Sequence, residues 1–230
     1  MIQAHVTYYN RAYREFAGRV KGGPLGDDLE KIGGLVAKVS KIQEPLISDF
    51  IRYSVNNKKV TRLLEIGCGS GAHMKTAFEI NNMVSGIGLD CDDEVVQQAQ
   101  DNMEKWGLSN QFKILKGDIR AFDPGQHGPF DLITMYNIMY YFEPEERLGL
   151  LRKLKNSLSA GGKIAVVNTF QSKNKDMAAA TLNFVNSSLK GVTPLPELSS
   201  LEKMFKNSGF QNIKTTKIIP GGSLYSIIAE

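Results

Sequence analysis

The sequence is poor in the residues on which several classes of function depend. Its 230 residues include two cysteines, Cys68 and Cys91, which are too few for a disulfide framework and have no metal-ligand spacing. No apolar run approaches the roughly 20 residues that a membrane-spanning helix needs, and the N-terminus lacks the apolar core of a signal peptide. We therefore expect a cytoplasmic protein with no metal site and no membrane partner.

An excess of charge of one sign is also small. Lys and Arg number 28 against 24 Asp and Glu, and the excess lies wholly in residues 1–60, which hold ten basic and six acidic side chains. Nucleic-acid-binding domains show a clustered basic stripe, so this surplus predicts no nucleic-acid partner. We interpret it as a solvated face, with an acidic partner or substrate as the alternative.

What the sequence does have is a composition typical of globular proteins, with 42% hydrophobic and 23% charged residues. From Thr61 onward, strand patterns alternate with helical patterns, which predicts a parallel sheet covered by helices on both faces. The last two strand patterns are separated only by Pro220-Gly221-Gly222. This turn is too short for a crossover, so these two strands must pair in antiparallel orientation.

Two predicted helices follow the central strands. One spans Pro144 to Leu158, with acidic residues at its N-terminus and leucines on one face. The other begins at a capping box formed by Ser199 and Glu202 and ends before Gly209.

The chain is organised around residues 63–71, Leu-Leu-Glu-Ile-Gly-Cys-Gly-Ser-Gly, which are followed by a helical pattern. A buried strand that ends in Gly67, Gly69 and Gly71 lets the backbone turn tightly and approach a ligand, while the next helix presents unpaired N–H groups there. This predicts a loop that binds a nucleotide cofactor. Alone the signal is weak, because the dinucleotide motif G-x-G-x-x-G/A also fits.

Three acidic residues stand at the ends of successive predicted strands. Glu65 lies two residues before the first glycine, Asp90 follows one apolar run, and Asp118 follows the next. At the carboxyl end of a strand, a side chain can reach ribose hydroxyls across the crevice. A lone Asp in such a place usually caps a helix or a turn, whereas three successive carboxylates favour a cofactor site.

These residues, in this order and spacing, resemble the class I S-adenosylmethionine-dependent methyltransferases. The similarity covers about residues 60 to 230 and rests on five motifs: Glu65-x-Gly67-x-Gly69-x-Gly71, Asp90, Gly117-Asp118-Ile119, Phe130-Asp131-Leu132-Ile133 and Gly161-Gly162. The resemblance implies a three-layer, Rossmann-like α/β sandwich whose seven-stranded, mostly parallel sheet has one antiparallel strand near the C-terminal edge. It also implies a methyltransferase domain at residues 60–230, preceded by a helical lid at residues 1–59.

The same resemblance implies S-adenosyl-L-methionine as cofactor and S-adenosyl-L-homocysteine as product. The three glycines would line the methionine half with backbone, and Glu65 would supply negative charge there. Asp90 would accept both ribose hydroxyls. Asp118 would accept the adenine amino group, and Ile119 would lie along the ring.

Two further features border the predicted crevice. Asn137 follows the fourth strand, where its backbone carbonyl holds the methionine part or its side chain only caps the turn. Cys68 and Cys91 each follow a strand end, where we expect small buried side chains whose backbone groups contact the cofactor. Residues 170–196 occupy the place where members of the resembled family carry insertions that shape the substrate pocket.

Three helical patterns precede the sheet. The first spans residues 1–20 and ends at Gly22-Gly23-Pro24, and the third runs from about residue 40 or 45 to residue 54. Small-molecule members of the resembled family use such helices as a lid. The lid would bring three tyrosines near the cofactor or substrate, with packing on the sheet as the alternative: Tyr8, Tyr9 and Tyr13. We expect the sheet and its helices to be complete from residue 61 onward.

No catalytic base stands out. Orientation alone accelerates an in-line displacement strongly, so a base is needed only when the acceptor arrives protonated. The weak candidates are Tyr13, His73 and Tyr140, with packing or surface roles as the alternative for the histidines His5, His73 and His127. The run Tyr136-Asn137-Ile138-Met139 differs from the Asn-Pro-Pro-Tyr of methylases that act on amino groups of nucleic acids and of protein glutamine.

The sequence therefore predicts a methyltransferase that acts on a small molecule. One alternative is a nicotinamide-dependent oxidoreductase, which shares the glycine motif but typically repeats a second mononucleotide-binding half. The other alternative is a non-catalytic subunit that binds S-adenosylmethionine and supports a partner enzyme.

Overall fold

The centre of the molecule is a seven-stranded sheet. The computed structural model describes Arg14, Gly18 and residues 21–26, 47–55, 60–172 and 176–230. Within them the strands are β1 (Arg62–Ile66), β2 (Ser85–Asp90), β3 (Phe112–Lys116), β4 (Phe130–Tyr136), β5 (Leu158–Thr169), β6 (Lys214–Lys217) and β7 (Leu224–Ala229). Their order is β3-β2-β1-β4-β5-β7-β6.

The pairing confirms the predicted topology. Strands β1 to β5 pair in parallel, and β7 lies antiparallel between β5 and β6. The direction in which the chain adds strands reverses between β1 and β4. In open α/β sheets, such a reversal leaves a crevice at the carboxyl ends of the strands.

Helices cover both faces of the sheet and complete the three layers. They are α1 (47–55), α2 (Ala72–Ile80), α3 (Asp93–Lys105), α4 (Pro144–Lys155), α5 (Met177–Asn186) and α6 (Leu198–Asn207). Apolar residues of α1, α2 and α3 pack into one core cluster, and those of α4 and α6 pack into a second. Neighbouring residues of β1 alternate between them, Leu63 in the first and Leu64 in the second. In the described part of the chain, no helix has the length and hydropathy to cross a membrane.

The predicted capping box of the last helix is wrong. Helix α6 begins at Leu198 after Glu197, so Ser199 already lies in the first turn. Glu202 accepts a hydrogen bond from Thr215 Oγ1 at 2.6 Å and so joins α6 to β6. A tertiary contact therefore uses the side chain that the local pattern had assigned to the helix end.

The predicted end of the helix before β5 is also wrong. Helix α4 ends at Lys155, and Leu158 already belongs to β5. The pairing of β4 with β5 shifts register between Phe130 and Leu132, and a Cβ atom on Gly162 would lie 2.8 Å from the carbonyl oxygen of Phe130. A glycine inside the strand permits this close approach, so β5 starts earlier than its apolar pattern.

Helix α1 belongs to the core. Ile47, Ile51 and Val55 are at most 2% exposed and pack into the same cluster as Leu63 and Ala165. The expectation that the core is complete from residue 61 onward is therefore wrong. The division of the chain into residues 1–59 and 60–230 stays a prediction, and the packing of α1 favours a boundary before residue 47.

Residues 21–26 show how the N-terminal segment ends its helix and where it goes next. The N–H of Gly23 donates to the carbonyl of Gly18 at 3.0 Å across Gly22, whose φ is 88°. This bond is typical of a helix C-terminus with a left-handed glycine. Tyr8, Tyr9, Tyr13 and His5 lie outside the described residues.

The chain then forms a short backbone bridge, called here the Gly26 bridge. The N–H of Gly26 donates to the carbonyl of Ser188 at 3.0 Å, and the N–H of Lys190 donates to the carbonyl of Gly26 at 2.9 Å. The bridge joins the end of the N-terminal segment to the residues after α5, in the insertion between β5 and α6.

Candidate functional site

The turn from β1 into α2 is built by glycines in the left-handed region. The φ angles of Gly67, Gly69 and Gly71 are 70°, 54° and 77°. The N–H groups of Gly67 and Cys68 donate to the carbonyl of Leu89 at 2.8 and 3.1 Å, which fixes the turn to the end of β2. The loop therefore stands at the carboxyl edge of the two strands.

The three glycines are needed for different reasons. A Cβ atom on Gly67 would lie 2.8 Å from Ile138 Cγ2, and one on Gly71 would overlap Met103 Cε. At Gly69 a Cβ atom would have no heavy atom of the described residues within 4 Å. Packing thus explains Gly67 and Gly71, whereas Gly69 exposes its backbone to open space beside the N-terminus of α2.

Asp90 joins this open glycine to the end of β2. Its Oδ2 accepts a hydrogen bond from the N–H of Gly69 at 3.0 Å, and its Oδ1 accepts one from the N–H of Asp92 at 3.3 Å. A carboxylate oxygen has two lone pairs, so each oxygen keeps capacity for a further donor. Asp90 is half-buried and stands at the carboxyl end of β2, as the sequence predicted.

Glu65 is a buried carboxyl group beneath the glycine loop. It is 1% exposed, and its Oε1 lies 3.1 Å from Nδ1 of His73 in the first turn of α2. Burial raises the pKa of Glu65, while the hydrogen bond to His73 acts in the opposite direction. The His73 ring meets the ring of Tyr136 edge-on, with 4.7 Å between centroids.

Asp118 stands at the far end of the crevice, after β3, in a different setting. Its Oδ1 accepts a hydrogen bond from the backbone N–H of Arg120 at 2.8 Å, and its Oδ2 pairs with Arg120 Nη1 at 2.9 Å. Arg120 also pairs with Glu146 of α4 at 3.1 Å and donates to the carbonyl of Tyr141 at 2.6 Å. Ile119 is 3% exposed and belongs to the second core cluster.

Asn137 and the two cysteines complete the predicted set. The φ of Asn137 is 54°, and its side-chain Oδ1 accepts a hydrogen bond from the N–H of Thr169 at 3.2 Å. The side chain thus caps the turn after β4. Contact of the backbone carbonyl with the methionine part of the cofactor stays a prediction. Cys68 is buried as expected, whereas Cys91 is exposed, so the expectation of a buried side chain is wrong for Cys91.

The weak catalytic candidates are dispersed. Tyr13 lies outside the described residues, and Tyr140 is buried beside Tyr141 with ring centroids 4.9 Å apart. The Nε2 atom of His73 is buried and has no hydrogen-bond partner in the described structure. His127 lies before β4, at the opposite edge of the sheet, and stacks on Phe122.

A family profile described as a methyltransferase domain matches residues 63–162. This match, the similar proteins and the structural neighbours support a class I S-adenosylmethionine-dependent methyltransferase. S-adenosylmethionine is the cofactor of this family.

The methyltransferase is similar to proteins from bacteria and from humans. It is 25% identical over 189 residues to the S-adenosyl-L-methionine-dependent methyl transferase PigF of Serratia sp., which covers 78% of this chain and 51% of PigF. It is 24% identical over 187 residues to the carboxy-S-adenosyl-L-methionine synthase of Shewanella piezotolerans, covering 76% of this chain and 73% of that protein.

Solved structures share its fold. Human N-acetylserotonin methyltransferase in complex with SAM has a TM-score of 0.78 at 14% identity, covering 99% of this chain and 68% of that chain. PigF with SAH has a TM-score of 0.76 at 18% identity, covering 99% and 72%. The chain spans about half the length of curated relatives that it matches, 51% in the case of PigF and 49% in the case of the methyltransferase ungE' of Aspergillus campestris.

Sequence reasoning about the methyltransferase missed two groups near the crevice. Arg120 was not singled out, although it follows Asp118 by two residues, a spacing at which a long cation can fold back onto a carboxylate. The second group is Tyr141. Its burial, with the charges of Cys91 and Asp90 nearby, raises its pKa to about 12, so its hydroxyl stays protonated beside the end of β2.

Proposed function

We propose that the protein transfers a methyl group from S-adenosylmethionine to a small-molecule acceptor. The observation that carries this proposal is Gly69, whose backbone borders open space while its N–H is held by Asp90. A closely approachable backbone next to a strand-end carboxylate fits a ligand that contains a ribose diol.

The residues around the crevice suit the parts of that cofactor in order. Asp90 accepts the ribose hydroxyls through the lone pairs that Gly69 and Asp92 leave unused. Glu65 faces the ammonium group of the methionine part with a negative charge. The remaining contacts of the proposal are made by Gly67, Gly71, the backbone of Cys68 and the carbonyl of Asn137 at the methionine end, and by Cys91, Asp118 and Ile119 at the adenine end.

The protein's contribution to the reaction is mainly orientation. The bound cofactor supplies a methyl carbon activated by a positively charged sulfur. The crevice would therefore have to hold the acceptor's nucleophile in line with this carbon and exclude water. Good alignment of this kind is worth roughly 7–11 kcal/mol.

A small molecule is the acceptor class that the observations favour. Two of the similar proteins, PigF and human N-acetylserotonin methyltransferase, are methyltransferases, and the second is named for a small-molecule acceptor. The residues after β4, Tyr136-Asn137-Ile138-Met139, do not form the Asn-Pro-Pro-Tyr run of amino-group methylases. The insertion that contains α5 is the natural wall for an acceptor pocket, because it packs on Tyr140 beyond the end of β4.

We also propose that the N-terminal segment covers this crevice as a lid. The Gly26 bridge supports the proposal, since it fixes the described end of that segment to the insertion beside Tyr140 and Thr193. Deleting residues 1–20 should leave a folded protein that binds S-adenosylhomocysteine more weakly and loses methyl transfer. Normal turnover of the truncated protein would contradict the lid.

The proposed function is tested by ligand-dependent melting. S-adenosylhomocysteine should raise the melting temperature, since a ligand that binds only the folded state stabilises it by mass action, whereas NAD and NADP should not. Stabilisation by NAD or NADP alone would instead favour the oxidoreductase alternative. Incubation with methyl-labelled S-adenosylmethionine and a panel of hydroxyl, amine and thiol acceptors then identifies the acceptor.

A further inference from the structure

His73 occupies an unusual position for a histidine, because it contacts the buried carboxyl group of Glu65. Nδ1 of His73 lies 3.1 Å from Oε1 of Glu65, while Nε2 is buried without a hydrogen-bond partner in the described structure. The ring is fixed from the other side by Tyr136, which in turn contacts Phe50 of α1 edge-on at 6.4 Å. Nδ1 of the imidazole is therefore paired with Glu65, whereas Nε2 is unpaired in the described structure.

The unpaired, buried Nε2 indicates which nitrogen of the imidazole carries the proton. A doubly protonated ring would leave an N–H donor buried and unpaired, and a ring protonated only at Nε2 would do the same. Both forms carry the desolvation cost of an unsatisfied donor. A neutral ring protonated at Nδ1 donates to the Glu65 carboxylate and leaves only a lone pair unpaired.

The groups around Glu65 leave one of its oxygens available. Besides His73 on α2, the titratable neighbours in the described structure are Asp90 at the end of β2, Cys68 in the glycine loop and Tyr136 on β4. Within the described residues none of them donates a hydrogen bond to Oε2, the oxygen of Glu65 that does not contact His73.

We propose that His73 is a positioning residue: as the neutral Nδ1–H tautomer it holds Oε1 of Glu65, so that Oε2 receives the ammonium group of the cofactor. This inference rests on the proposed function. It gives His73 a task other than that of a base, since Nε2 is closed off from any acceptor. The hydrogen bond from Nδ1 also opposes the rise in pKa that burial causes at Glu65, and so favours the carboxylate form that a cationic ligand requires.

The test compares two ligands across three forms of the protein. The ligands are S-adenosylhomocysteine and its analogue without the α-amino group, and the variants are His73→Phe, which keeps ring volume, and His73→Asn, which keeps a nitrogen donor near Nδ1. The intact protein should prefer S-adenosylhomocysteine by about tenfold to a hundredfold, as expected for a hydrogen bond to a charged group. His73→Phe should lose most of this preference and His73→Asn should restore it.

The control is His127→Phe, which removes a histidine at the opposite edge of the sheet and should keep the full preference. If His73→Phe keeps it too, the positioning role is overturned while the proposed function stands. If the intact protein binds neither ligand, the proposed function itself fails. A ¹⁵N spectrum of the intact protein provides a measurement free of mutation, and a protonated Nε2 on His73 would overturn the inference.

Discussion

Glu65 and Asp118 stand at opposite ends of one crevice and are held in different ways. The side chain of Glu65 is 2% exposed and meets a single imidazole, whereas that of Asp118 is 43% exposed and pairs with Arg120. Arg120 is itself shared with Glu146 and with the carbonyl of Tyr141. Water screens the charge of Asp118 and hardly reaches that of Glu65. The two carboxyl groups should therefore contribute differently to the free energies of folding and ligand binding.

The largest difference is expected between Asp90→Ala and Asp118→Ala. Loss of Asp90 removes a charged acceptor next to the open glycine and should weaken S-adenosylhomocysteine binding by about tenfold to a hundredfold, or roughly 1.5–3 kcal/mol. Loss of the exposed Asp118 should cost less than about fivefold, in keeping with roughly 0.2–1 kcal/mol for exposed charge contacts. Calorimetry on both variants measures the ratio, and equal losses would abolish the proposed contrast.

Without ligand, Glu65→Gln should become more stable relative to the intact protein as the pH rises. Because burial raises the pKa of Glu65 in the folded state, the folded protein holds this proton more tightly than the unfolded chain does. The protonated Glu65 carboxyl group contributes fully to the free energy of unfolding below the carboxyl pKa of the unfolded chain. This contribution is lost as the pH rises through the pKa of Glu65 in the folded protein. A change of 1 kcal/mol corresponds to about 2–4 °C in melting temperature for a protein of this size.

The matching control for that experiment is Asp118→Asn. This variant removes a carboxylate that is 43% exposed at the other end of the crevice, and the pH dependence of Glu65→Gln is compared with it. A constant difference in melting temperature between Glu65→Gln and the intact protein between pH 5 and pH 8 would show that burial does not penalise the ionised form of Glu65.

Gly69→Ala and Gly71→Ala should separate binding from folding. Both positions have φ in the left-handed region, where a side chain costs roughly 1–2 kcal/mol, so both variants should melt at lower temperature. Only the methyl group on Gly69 enters the open space. Cofactor affinity per folded molecule should therefore fall more in Gly69→Ala than in Gly71→Ala, and the reverse order would place the ligand away from Gly69.

The smallest effect is expected for Arg120→Met. Its ion pairs are exposed, so S-adenosylhomocysteine affinity should fall by less than about fivefold at low salt. At 1 M salt, where charges are screened within about 3 Å, the intact protein and the variant should converge. A large, salt-independent loss would mean that Arg120 contacts the ligand directly.

The sequence was informative where a single residue type is required by backbone geometry. The tight turn at Gly67, Gly69 and Gly71 and the antiparallel end of the sheet both followed from local chemistry. The misplaced start of α6 and the early start of β5 depended on contacts with β6 and β4, which no local pattern contains.

The site showed the same division. The positions of the acidic residues at strand ends were predictable, because parallel strands end at one edge. Their partners were not, since His73 and Arg120 reach Glu65 and Asp118 only once α2 and the segment after β3 are in place. The burial of α1 was missed for a related reason, as an amphipathic helix that covers a sheet and one that covers a crevice have the same periodicity.

The Gly26 bridge has a practical consequence for redesign. It consists of main-chain hydrogen bonds alone, so it constrains the path of two segments while leaving their side chains free to vary. Both segments lie outside residues 63–162, the stretch that matches the family profile. A chimera that exchanges the N-terminal segment without the residues after α5 would pair Gly26 with a foreign backbone. The two segments should therefore be transplanted together.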